Sequence, residues 1–163
     1  RPHAGLRIAR GSARLAYRTA PELNARFERR AQMGEDPYAW TEGKRGGRFE
    51  VTSYLDHQAE KLARRFDANT YIALNDAMTL FDVGRGRGGL EQALGSITAH
   101  LTVVGIDSDR LFPLDLQEEL VRLTPTADRV HVVHSMYGHD GFLVEDDQVA
   151  AFVAYALQHI PPA

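Results

Sequence analysis

The chain has 163 residues, 44% hydrophobic and 25% charged, an ordinary globular balance sufficient for one domain or two small lobes. It has no cysteine, which excludes disulfides, cysteine-ligated metals and a cysteine nucleophile. No apolar run approaches the ~18–20 residues of a membrane span and no secretory leader is read at its start, so no membrane role is expected. The first residue is Arg1 rather than Met, and the expectation is a piece of a longer protein. The net charge of −3 conceals an asymmetry: residues 1–66 carry 14 Lys/Arg against 8 Asp/Glu, and residues 67–163 carry 5 against 14. The arginines of the basic half alternate with acids on helical faces, which reads as a solvated, salt-bridged surface and not as a nucleic-acid site.

Residues 5–18 predict a first helix, with Leu6, Ala9, Ala13 and Tyr17 on one face and Arg7, Arg10, Arg14 and Arg18 as a second stripe. Gly11 within it costs roughly 1 kcal/mol against Ala, which close packing would compensate. Thr19-Ala-Pro-Glu22 is a capping box with proline in the first turn, opening a short helix through Leu23 and Phe27. Residues 33–47 hold four glycines and Pro37 and read as a loop. Val51, Leu55, Ala59, Leu62 and Phe66 give a clear helical period over 48–66. Asp67 is placed to cap a further helix over 69–81, with Tyr71, Leu74, Met78 and Phe81 apolar. The first half is thus four helices without a convincing strand, a bundle-like or cap-like unit over 1–84.

The pattern changes at Gly84-Arg-Gly-Arg-Gly-Gly89. These letters match the dinucleotide fingerprint, but that motif works only after a strand, and here it follows a helix. A flexible hinge is the better reading, with Arg85 and Arg87 available to an anion. A helix is expected at about 89–97, a buried strand at 101–106, a helix at 114–123, a strand at 129–134 and a final helix at 146–159. Strand–loop–helix repeated twice over 85–163 is α/β architecture with parallel strands and polar residues at their carboxyl ends.

Two loops carry chemistry: Gly105-Ile-Asp-Ser-Asp-Arg-Leu-Phe-Pro113 and Tyr137-Gly-His-Asp-Gly-Phe-Leu-Val-Glu145. A carboxylate in the first can bond the Nδ1–H of His139 and stabilise its imidazolium, leaving Nε2 to take a proton from a hydroxyl. Asp107, Asp109 and Asp140 all compete for that role on position alone. The order acid then histidine suits an α/β-hydrolase triad, but none of Ser12, Ser53, Ser96, Ser108 or Ser135 sits in a Gly-x-Ser-x-Gly elbow. The histidines have no metal-ligand spacing, so no metal is expected, and His57 reads as a surface residue.

Several segments together resemble the homoserine O-acetyltransferase family in its actinobacterial form. They are Arg1–Arg10, Gly47–Gln58, Arg65–Tyr71, Asp82–Gly89, Gly105–Pro113 and Tyr137–Glu145, in order over essentially the whole chain. The resemblance implies the C-terminal part of an α/β-hydrolase-fold acyltransferase: a helical lid, then the acid and histidine end of the catalytic domain. It implies a ping-pong reaction in methionine biosynthesis, in which a serine takes the acetyl group of acetyl-CoA and passes it to the hydroxyl of L-homoserine. It assigns Asp109 as the triad acid, His139 as the triad histidine, and Asp140, Arg10 and Tyr17 as substrate-binding residues. It further implies a cytoplasmic homodimer joined through the lid, with no cofactor beyond the co-substrate acetyl-CoA, and no activity in this segment alone. The alternatives are a related O-acyltransferase using succinyl-CoA, serine or another alcohol, and a non-catalytic dimerisation module built on the lid.

Overall fold

A computed structural model describes residues 2–159; Arg1, the first residue of one resembling segment, lies outside them. The chain forms two compact units, one ending at Thr79 and the other beginning at Leu80.

In the first unit, helix α1 (Pro2–Tyr17) packs along α3 (Glu50–Arg65). Leu6, Ala59, Leu62 and Ala63 are buried between them, a burial of about 1.5–3 kcal/mol for each leucine. His3 Nδ1 lies 3.0 Å from the Ala63 carbonyl. Gly11 does not have the close packing expected of it: a Cβ there would meet nothing within 4 Å. Helix α2 (Ala20–Phe27) starts as its capping box requires, the Glu22 amide donating to Thr19 Oγ1 at 3.2 Å. It is fastened to α3 by Phe27 against the Tyr54 ring at 5.1 Å, with the Arg26 guanidinium over both rings.

The stretch read as a structureless loop contains a small antiparallel ladder, β1 (Trp40–Thr41) with β2 (Lys44–Arg45). Its turn places both Glu42 (φ 52°) and Gly43 (φ 73°) in the left-handed region, the geometry of a type I′ hairpin. Two-residue strands leave no alternation to detect, and Glu in the first turn position is not the Asn or Asp that signals this turn. The base of the excursion is clasped by Arg48, whose amide, Nε and Nη2 all donate to the Glu35 carboxylate at 2.7–3.1 Å. These bonds, the side-chain bond foremost, hold Glu35 below the usual carboxylate range.

Helix α4 (Ala68–Leu80) is capped by Asp67, which accepts the Thr70 amide at 2.8 Å. Its expected apolar face is unburied: Leu74, Met78 and the following Phe81 are all exposed. The expected hinge beyond it is a turn closed by the Gly89 and Arg87 amides on the Gly84 carbonyl. It leads from α4 to the six-residue helix α5 (Leu90–Gly95), not from a strand.

In the second unit, β3 (Leu101–Ile106) and β4 (Ala127–Val133) pair in parallel, with Val103 opposite Val130 and Ile106 opposite Val133. Parallel neighbours need a crossover, here α6 (Leu114–Leu123), which packs on both strands. Gly105 permits this, since a Cβ on it would come within 2.7 Å of Leu114 Cδ2. Val103, Ile106 and Val133 form the buried centre. Strand β4 starts two residues before the position read from sequence, because pairing with Leu101 extends it over Ala127 and Asp128. After a 3-10 turn (Gly138–Asp140) come α7 (Gly141–Val144) and α8 (Asp146–Gln158), the latter laying Phe152 and Tyr155 against the ring of His131.

Candidate active site

Both parallel strands end at the same edge of the sheet. The Asp107 amide continues the ladder onto the Val133 carbonyl at 3.1 Å, so residues 107–109 and 134–141 leave the sheet side by side. This carboxyl edge is where open α/β sheets hold their ligands.

Asp109 is buried, 6% exposed. Its amide closes a turn on the Ile106 carbonyl, and its Oδ1 accepts the amides of Leu111 at 2.7 Å and Phe112 at 3.2 Å. The other oxygen, Oδ2, lies 2.9 Å from His139 Nδ1. One carboxylate oxygen is therefore held by the backbone and the other is aimed at the imidazole. His139 stands in the 3-10 turn that begins at Gly138, whose φ of 64° favours glycine. Its ring meets Phe112 and Phe142 edge-on, with centroids 5.2 and 5.6 Å away. An aspartate facing Nδ1 selects the tautomer protonated there and makes Nε2 the basic nitrogen, while the two phenylalanines confine the ring plane.

The three acids that sequence could not separate occupy different places. Asp107 faces a different histidine: its Oδ2 lies 2.9 Å from Nδ1 of His134, an exposed side chain, and its Oδ1 accepts the Ser135 amide at 3.1 Å. Partial burial pushes the Asp107 carboxyl up, but the Ser135 amide and the His134 ring outweigh it and hold the group below its ordinary value. Asp140 is buried beside His139 and opens α7, but the Nδ1 position is taken by Asp109. Two Asp–His pairs thus lie next to one another, one exposed and one enclosed.

Arg10 and Tyr17 lie on α1 in the first unit. Two helical turns apart, they share a face, the Arg10 guanidinium 5.6 Å from the Tyr17 ring centroid. Among the residues that sequence reading did not single out, Phe112 and Phe142 each stand three positions beyond a site residue. Ser108 enters the sequence reading only as a serine without an elbow, and its bonds to the histidine loop are visible only once the strands are paired. Among the described residues, no group of three His, Asp or Glu side chains could hold a metal ion.

No family model matches the chain. It is 53% identical over 152 residues to the homoserine O-acetyltransferase of Thermobifida fusca, covering 93% of this chain and 38% of that protein. It is 54% identical over 144 residues to the homoserine O-acetyltransferase of Nocardia farcinica, covering 88% and 36%. The chain thus spans less than two-fifths of the length of these curated relatives. Its fold superposes with a TM-score of 0.74 on the homoserine O-acetyltransferase structure from Bacillus anthracis, at 19% identity, over 94% of this chain and 41% of that one. At half of all positions identical over most of its length, the chain is a homologue of the homoserine O-acetyltransferases and carries part of their α/β-hydrolase fold.

Proposed function

We propose that this chain supplies the acid and base of a homoserine O-acetyltransferase, with the nucleophilic serine contributed by sequence outside these 163 residues. The observation that carries the reading is the 2.9 Å bond from His139 Nδ1 to a buried Asp109 that two backbone amides hold in place. In the first half-reaction, His139 Nε2 takes the serine hydroxyl proton as the oxygen attacks the thioester carbonyl of acetyl-CoA. The C–S bond breaks, the coenzyme A sulfur receives the proton, and acetyl-serine remains. In the second, Nε2 takes the proton of the homoserine hydroxyl, whose oxygen attacks the acetyl carbonyl, and the serine oxygen recovers the proton as it leaves. Asp109 stabilises the imidazolium in both halves.

Asp140 is the partner proposed for the homoserine ammonium, and Arg10 and Tyr17 are proposed as substrate-binding residues on the resemblance. The working protein is proposed to be a cytoplasmic homodimer joined through the helical unit. The exposed Leu74 and Met78 of α4 support such a contact, since apolar side chains on one helix normally find a partner. No described helix is long and apolar enough to cross a membrane.

The test is an acyl-transfer assay of a longer protein containing this chain, with acetyl-CoA or succinyl-CoA as donor and homoserine or serine as acceptor. The acetyl-CoA and homoserine pair is expected to give the highest kcat/KM. Preference for another pair would reassign the substrates, and no acyl transfer with any pair would overturn the proposal. Acetyl transfer by the 163 residues alone would overturn the external nucleophile.

A further inference from the structure

The two loops that carry Asp109 and His139 come from different strands, about thirty residues apart, and something must set their relative position. Backbone pairing ends with the Asp107 amide on the Val133 carbonyl. Beyond that point, one hydroxyl bridges the loops at both ends of the segment leading to the histidine. Ser108 Oγ donates to the Ser135 carbonyl at 2.5 Å and accepts from the Gly138 amide at 3.0 Å. The second bond falls on the residue that immediately precedes His139 and starts its turn in a left-handed conformation. Between the two contact points, the loop is closed on itself by the Tyr137 amide donating to Ser135 Oγ at 3.1 Å. Its far side has no slack, since a Cβ on Gly141 would come within 3.0 Å of Ser135 Cβ and Oγ and 3.1 Å of Ile106 Cγ2.

We infer that Ser108 is the positioning residue that registers the histidine loop against the acid loop and so aims His139 at Asp109. The hydroxyl of Ser108 bonds the backbone of Ser135 and Gly138, and it acts through them. It is suited to this because a hydroxyl both donates and accepts, whereas the flanking carboxylates of Asp107 and Asp109 can only accept. Without it, the Ser135 carbonyl and the Gly138 amide lose this shared partner together, and the turn can rotate about Gly138. A displacement near 1 Å at the reacting group is enough to cost about 100-fold in rate.

This inference rests on the acid–base reading of Asp109 and His139, and the test separates the two. In the longer protein containing this chain, Ser108→Ala, Ser108→Thr and the parent are compared by steady-state kinetics and by the downfield proton resonance of the His139 Nδ1–H···Asp109 bond, assigned by its loss in Asp109→Asn. Ser108→Ala is expected to lower kcat about 10- to 100-fold with KM for homoserine within about threefold, and to shift or broaden that resonance. Ser108→Thr, which keeps the hydroxyl, is expected to recover most of both. If the parent transfers no acyl group yet the resonance still responds to Ser108, the catalytic reading falls and the positioning role stands. An unchanged resonance and unchanged kcat in Ser108→Ala overturn the positioning role. Should Ser108→Ala not fold, Ser108→Cys retains the volume with a weak donor, and the parental rate and resonance in that variant overturn it equally.

Discussion

Replacing Asp109 with asparagine changes one atom and leaves the shape of the side chain intact. The oxygen that accepts the Leu111 and Phe112 amides at 2.7 and 3.2 Å must remain an oxygen, because an amide NH2 there would face two donors. The new NH2 is therefore directed at His139 Nδ1, where the carboxylate oxygen stood at 2.9 Å. Nδ1 must now accept, so the ring proton moves to Nε2, and the nitrogen needed as base is blocked. The imidazolium also loses its counter-charge. Where this tautomer change occurs in a triad with its geometry intact, the rate falls about 10⁴-fold, equivalent to about 5.4 kcal/mol of transition-state stabilisation. The expected outcome in the longer protein is a kcat lowered by about that factor, a near-parental melting temperature and little change in KM. Asp107→Asn is the internal control: its histidine is exposed and lies on the neighbouring pair, so kcat should fall by no more than about tenfold. An Asp109→Asn enzyme that folds and retains more than about a tenth of parental kcat would refute the tautomer reasoning. An Asp107→Asn enzyme hit equally hard would refute the division of labour between the two pairs.

Asp140→Ala should raise KM for homoserine by about 10-fold or more while leaving acetylation of the enzyme by acetyl-CoA near normal, since it removes the proposed partner of the ammonium; parental homoserine kinetics would sink that role. Gly105→Ala should destabilise by about 1–3 kcal/mol, read from the denaturation midpoint, because the added methyl meets Leu114 Cδ2 at 2.7 Å and Val130 Cγ1 at 3.3 Å. The lowered carboxyl of Asp107 contributes stability that is present above the ordinary aspartate value of 3.8 and is lost as pH falls through its lower folded value. The stability difference between parent and Asp107→Asn should therefore close below about pH 4 in a pH series of melts; a difference that persists undiminished at lower pH would contradict the pairing with Ser135 and His134.

Much of the fold is written locally. The helix at 114–123 and the strand at 101–106 occupy the residues that periodicity and β-branching assign to them, because an amphipathic face and a short apolar run are properties of neighbours in sequence. The caps at Thr19 and Asp67 lie where their side chains can reach amides three residues ahead. Local signals fail where a partner makes the element: β1 and β2 are too short to alternate, and β4 begins on Ala127 because Leu101 is there to pair with it.

The candidate site divides in the same way. Sequence alone placed a histidine and two aspartates in matching loops, since loop, strand and helix recur in the same order in both βα units. Position and residue chemistry leave Asp107, Asp109 and Asp140 open, and only the family resemblance names Asp109. The parallel register of β3 and β4 sets which carboxylate faces which imidazole, bringing Ser135 and His134 over Asp107 and the Gly138 turn over Asp109. The joining role of Ser108 is tertiary for the same reason: a hydrogen bond across thirty residues has no trace in local composition, and it exists only once two strands have set the distance.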